Sequence, residues 1–125
     1  MTHRLGFLLT IGSGFIAVLL GAFGAHALKN SISPSMIETW KTASFYHFVH
    51  TVVILIVLVK QQIKNQEQYS TIIFGFLSGI ALFSGSLYFY VISQIKVFVF
   101  ITPIGGLVLL LSWAYWFKVE LTNVK

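Results

Sequence analysis

The chain has 125 residues, 57% of them hydrophobic and only 9% charged, with a mean hydropathy of +0.88; so little polar surface excludes a water-soluble enzyme domain, a disordered chain and a fibrous repeat. Eight Lys and Arg against three Asp and Glu leave a formal charge of +5, scattered rather than gathered into a nucleic-acid face, which suits membrane orientation and lipid-headgroup contact. There is no cysteine, which excludes disulfides, thiolate chemistry and Cys-type zinc sites.

The first apolar stretch covers residues 5–28, between Arg4 and Lys29. A charged start, an apolar run and Ala25-His26-Ala27 imitate a secretory signal with its cleavage site. The run, however, exceeds the roughly 7–15 residues of a signal core. It also carries small residues at helical spacing (Gly6, Thr10, Gly14, Ala17, Gly21 and Ala25), a face that lets another helix approach closely. A retained membrane span is therefore expected.

Ser33-Pro34-Ser35 reads as a helix start with Pro in the first turn, and Ser35 with Glu38 has the spacing of a capping box. The second helix is expected to begin before the membrane, with Trp40 at the interface and the apolar stretch at residues 42–59. Trp40, Ala43, His47, His50, Ile54 and Val57 step by three and four, one helical stripe that turns both histidines toward the bundle. Residues 60–68 form the most polar segment and link spans two and three.

The third stretch, residues 69–92, holds Gly75 and Gly79 as a G-x-x-x-G pair suited to close helix contact. Ser93-Gln94-Ile95-Lys96 reads as a tight turn. In the fourth stretch, residues 97–117, Pro103 leaves two readings open. Either it kinks a full span, or Thr102 caps a shorter helix beginning at Pro103 and leaves residues 96–101 non-helical. Gly105 and Gly106 follow it as further packing positions. Each stretch is near the roughly 20 residues that cross about 30 Å of hydrocarbon, and in lipid such segments satisfy their backbone only as helices or closed barrels. The fold expected is all-α, an integral membrane four-helix bundle in one domain.

Arg4, Lys60, Lys64, Lys118 and Lys125 fall on the N-terminal side, and Lys29, Lys41 and Lys96 on the other, which favours both termini in the cytoplasm. Tyr69, Trp113, Tyr115 and Trp116 suit an aromatic belt on that inner side. Polar side chains gather toward the opposite end: His26; Tyr46, His47 and His50; Ser84 and Ser86; Thr102. Tyr88 and Tyr90 lie there too and read as belt residues. His47 and His50, at i and i+3, could place two imidazoles on one metal or haem, with His26 as the third nitrogen. The competing readings are a proton or small-ligand site, and histidines that only hydrogen-bond within the packing. No nucleophile–base–acid set is visible and no carboxylate lies within a span, so the expectation is a non-enzymatic accessory or structural membrane protein, the alternative being small-ligand, proton, metal or haem binding or transport through the His/Tyr/Ser cluster. The partners expected are the bilayer and, beyond it, a second copy or another membrane protein.

Gly21-Ala22-Phe23-Gly24-Ala25-His26-Ala27-Leu28, Trp40-Lys41-Thr42-Ala43 with Tyr46-His47 and His50, Phe83-Ser84-Gly85-Ser86-Leu87-Tyr88, and Thr102-Pro103-Ile104-Gly105-Gly106 together carry a resemblance. The chain resembles the small membrane proteins of domain of unknown function 423, also grouped as an uncharacterised protein family with distant eukaryotic transmembrane relatives. The likeness runs from about Gly6 to Trp113 and departs at Ser112, where Gly is expected. It implies a multi-pass bacterial plasma-membrane protein and no established activity, substrate or cofactor. The family's histidines map onto His26, His47 and His50.

Overall fold

The computed structural model describes residues 2–64 and 67–123, for Ala25 the backbone alone. Met1, Asn65, Gln66, Val124 and Lys125 lie outside the described residues, so part of the polar link, Lys125 in the charge count and the side chain of Ala25 in the small-residue stripe do too. Four helices run in alternating directions: α1 (His3–His26), α2 (Pro34–Lys64), α3 (Glu67–Ser93) and α4 (Val97–Asn123). All four are long and apolar enough to cross a membrane, and no strand occurs among the described residues.

Local chemistry sets the ends. Thr2 caps α1 by accepting from the Leu5 amide. At α2 the cap is Ser33, whose hydroxyl accepts from the Met36 amide. The capping box predicts Ser35 in that role, but Pro34 opens the helix and puts Ser33 in the capping position. Glu38 pairs instead with Lys41 at 2.7 Å. Gln94 ends α3 in a left-handed conformation (φ 59°), with its side-chain amide donating to the Val91 carbonyl.

The polar link proves shorter than its composition suggests, because α2 continues through Lys64 and α3 begins at Glu67. Pro103 lies within a continuous α4, so the full span, rather than a shorter helix beginning at Pro103, is the reading that holds. Across from it, α3 widens into a π-helical turn at Ala81–Gly85. The two irregularities meet: a methyl added at Gly105 would overlap the backbone of Leu82 and Phe83. Lipid offers no hydrophobic drive for helices to associate, so close backbone approaches such as this one help to join them.

Helices α2 and α3 form the middle of the molecule. Helix α1 packs mainly on α2, α4 packs on α3, and α1 and α4 do not meet. Val53, Ile54, Val57 and Leu58 of α2 fill one core cluster with Tyr69, Ile72, Ile73 and Phe76 of α3. A second core cluster, toward the opposite end of the bundle, is built around Trp40, 2% exposed, whose indole N–H donates to the Leu20 carbonyl at 2.8 Å. Trp40 is thus a core residue rather than an interface anchor. Gly24 makes the room, since a methyl there would overlap the indole.

At the end of the bundle where α1 begins and α4 finishes, Glu120 accepts from Lys60 (2.9 Å), Trp116 (2.9 Å) and Tyr69 (3.2 Å). This knot ties the ends of α2, α3 and α4. His3 adds α1, with Nε2 3.3 Å from the Leu58 carbonyl oxygen.

Candidate functional site

Because α1 and α4 lie on opposite flanks of the α2–α3 pair, each leaves a groove open toward lipid. The first, about 610 Å³, runs between α1 and α3 over a floor of α2. Its walls include Leu8, Gly12 and Ile16 of α1 and Leu77, Ala81 and Gly85 of α3, with Trp40 and His47 below. The second, about 480 Å³, lies between α2 and α4 and is bounded by Tyr46, His50, Phe83, Pro103 and Trp113.

The two histidines of α2 are divided between these grooves. Residues three apart on a helix differ in direction by about 60°, enough for His47 to meet α1 and α3 while His50 meets α4. His47 Nε2 is 3.0 Å from Ser13 Oγ, and Nδ1 is 3.4 Å from the Tyr88 hydroxyl. Ser13 Oγ is 2.7 Å from Thr51 Oγ1, Thr51 donates to the His47 carbonyl at 2.8 Å, and Tyr88 donates to Ser44 at 3.3 Å. Five polar side chains from three helices thus form one connected cluster, and Ser13, His47 and Tyr88 line the first groove.

His50 is bonded differently. The Trp113 indole, which has only a hydrogen to give, donates to Nε2 at 3.2 Å. Nε2 is therefore an acceptor, and Nδ1 carries the hydrogen donated to the Tyr46 carbonyl at 2.8 Å. This arrangement holds a neutral imidazole with both nitrogens engaged. Tyr46, 40% exposed, stacks on its ring at 5.9 Å. The ring nitrogens of His47 and His50 point to separate partners, so the i, i+3 pair does not converge on one ligand position.

The other expected members are dispersed. His26 is exposed at the end of α1, thirteen residues past Ser13 and so about 20 Å farther along the helix than the serine that meets His47. No group of three His, Cys, Asp or Glu placed to hold a metal occurs among the described residues. Ser86 and Thr102 bond to each other at 2.7 Å and join α3 to α4. Ser84 is buried in the π-helical turn, its hydroxyl without a hydrogen-bond partner among the described residues.

Tyr88, read as a belt residue, is buried in the His47 cluster. Trp113, also read as a belt residue, donates to His50. Ser13, Ser44 and Thr51 were missed as cluster members. Thr51 lies four residues from His47, a spacing legible in the sequence, whereas nothing local singles out Ser13.

The packing glycines divide as well. A methyl at Gly75 would overlap Ser112, at Gly79 Leu109, and at Gly105 the α3 backbone. At Gly14 and Gly106 it would meet Thr51 and Phe83 at ordinary distance, and at Gly21 it would meet nothing within 4 Å. Gly21 therefore stands outside the close contacts. Ser112, the departure from the resemblance, fills the space against Gly75.

A family model described as a protein of unknown function, DUF423, matches residues 20–106. The chain is 35% identical over 102 residues to the UPF0382 membrane protein YwdK of Bacillus subtilis, covering 81% of this chain and 83% of the relative. It is 40% identical over 103 residues to the UPF0382 membrane protein SAB0533 of Staphylococcus aureus, covering 81% and 82%. With the UPF0382 inner membrane protein YgdD of Escherichia coli it shares 36% identity over 116 residues, 91% and 87% of the two chains. No solved structure matches it.

Proposed function

This chain belongs to the DUF423 family of membrane proteins of unknown function, and from that premise we propose that it is a non-enzymatic membrane protein that holds an apolar molecule taken from the bilayer in the groove between α1 and α3. One observation carries this reading: the groove is lined almost wholly by aliphatic and aromatic side chains yet has a single polar spot, where Ser13 of α1 and Tyr88 of α3 meet His47 in the floor. Apolar walls with a few placed polar groups are the usual makeup of a small-molecule site. Along α3 the groove extends from Leu77 to Ile92, about 22 Å at helical rise, long enough for one extended lipid chain. The proposal also places the protein in a bacterial plasma membrane with both termini in the cytoplasm. The inner-membrane name of the Escherichia coli relative and the excess of Lys and Arg at the end carrying Arg4, Lys60, Lys64 and Lys118 support this.

Gly12 and Gly85 supply the test, because both line the groove and a methyl on either meets nothing within 4 Å. The protein, in vesicles of phosphatidylethanolamine and phosphatidylglycerol, is irradiated with a diazirine-bearing long-chain alkane. Label is expected on the groove residues of α1 and α3, and it should fall at least fivefold in Gly12→Leu and Gly85→Leu, with melting temperature kept. Even labelling over all lipid-facing residues, unchanged in both variants, would overturn the proposal.

A further inference from the structure

The end of the bundle where α1 finishes and α2 begins carries a second kind of cleft. A cavity of about 400 Å³ there is bounded by Gly24 of α1, Lys29 of the connecting turn, and Pro34, Glu38 and Lys41 of α2. A smaller one, about 150 Å³, adjoins it across Gly24, Ile37 and Lys41, and its remaining walls are Gly21, Trp40 and Ser44. Pro34, Ile37, Lys41 and Ser44 step by three and four along one face of α2, and the ten residues from Pro34 to Ser44 span about 15 Å. The two cavities make one cleft between α1 and α2, charged at its mouth and mainly apolar below. A methyl on Gly21 would meet nothing within 4 Å, so this glycine leaves the lower part open. Trp40 alone is shared with the α1–α3 groove.

The charges at the mouth do not cancel. Lys41 and Glu38 pair at 2.7 Å, which leaves Lys29 with no ion-pair partner among the described residues. The other acidic residues belong to the opposite end, where Glu67 opens α3 and Glu120 is bound to Lys60. His26, in the last turn of α1, and Lys96, between α3 and α4, bring no negative charge to this end. Lys29 and Lys41 also bound the apolar stretches of α1 and α2, so the mouth lies where headgroups meet hydrocarbon. What complements this cleft is one negative charge carried on an apolar chain.

We propose that the cleft binds a phospholipid with a singly negative headgroup, its phosphodiester beside Lys29 and Lys41 and an acyl chain against Gly21 and Trp40. The lipid's charge offsets Lys29 and leaves the Lys41–Glu38 pair intact. A phosphoethanolamine headgroup brings its own ammonium and so adds no net charge, and a free phosphate has nothing to place in the apolar part.

The experiment titrates the full chain in detergent micelles with phosphatidylglycerol and phosphatidylethanolamine of identical acyl chains, with bound lipid measured by native mass spectrometry. One lysine beside an anionic headgroup is worth a factor of about five, so phosphatidylglycerol is expected to bind about fivefold tighter. In Lys29→Gln that preference should fall below twofold while phosphatidylethanolamine binding stays within twofold of its original value. Lys96→Gln, which removes a charge from the same end but outside the cleft, should keep the preference. Gly21→Leu, which fills the apolar part, should weaken both lipids severalfold. Glycerophosphoglycerol, the headgroup without chains, should not compete at millimolar concentration. Equal affinity for the two lipids, an equal loss in Lys29→Gln and Lys96→Gln, unchanged binding in Gly21→Leu, or competition by the free headgroup would each overturn the proposal. Because Lys29 is exposed in a turn, its variant keeps the test open even if Gly21→Leu fails to fold. None of these outcomes bears on the α1–α3 groove, which is read out by the alkane label.

Discussion

At the scale of single residues, the two imidazoles of α2 are hydrogen-bonded to separate sets of partners. His50 is complete as a neutral ring: Trp113 supplies a hydrogen to Nε2 and the Tyr46 carbonyl takes the one on Nδ1. A phenyl ring in place of the indole has no hydrogen to donate. Trp113→Phe is therefore expected to lower stability by about 1 kcal/mol, the scale of an interhelical hydrogen bond in a membrane, measured by unfolding in mixed micelles. The same variant should shift the nitrogen resonance of His50 Nε2 and leave His47 unaltered. If neither quantity moves, the indole does not hold that ring. The i, i+3 spacing in the sequence was legible as two inward histidines. Their separation was not, because the 60° between them matters only once helices stand on both sides.

At the scale of elements, helix pairing rests on a few close approaches rather than on every small residue. Gly105 lies against the backbone of Leu82 and Phe83, where a methyl has no flexible neighbour to displace. Gly105→Ala is expected to cost about 1–3 kcal/mol, the range for overpacking, and to reopen the α3–α4 contact at the π-helical turn. Gly21→Ala is the control. With open space around the added methyl, it should leave stability unchanged or raise it by up to about 1 kcal/mol through helix propensity. Thermal unfolding of the two variants side by side checks this, and an equal loss in both would count against the assignment of these contacts. A stripe such as Gly14, Gly21, Gly75, Gly79, Gly105 and Gly106 shows that close packing is permitted. Which members use it depends on what stands opposite: Trp40 against Gly24, Ser112 against Gly75, and nothing against Gly21.

At the scale of the whole molecule, the polar knot on Glu120 and the His3–Leu58 contact bring both ends of the chain to one side, together with most of the Lys and Arg. The absence of native cysteine makes the orientation directly measurable. Ser31→Cys lies between α1 and α2, and Lys64→Cys ends α2 on the opposite side. An impermeant maleimide applied to intact spheroplasts is expected to label Ser31→Cys and to reach Lys64→Cys only after permeabilisation. The reverse pattern would invert the topology.

Four spans, their order and their helical character were determined by the sequence itself, since apolar length and the obligation to satisfy backbone groups within each segment are local properties. The tertiary arrangement decided the rest. Placing α1 and α4 on opposite flanks of α2 and α3 drew Ser13 and Tyr88 to His47, sent Trp113 to His50, and left His26 a helix-length away. It also made the groove, a space between helices that no single stretch of the chain encodes. Hydrogen-bond partners far apart in the chain are chosen by helix adjacency and rotation, and those emerge only when all four helices pack at once.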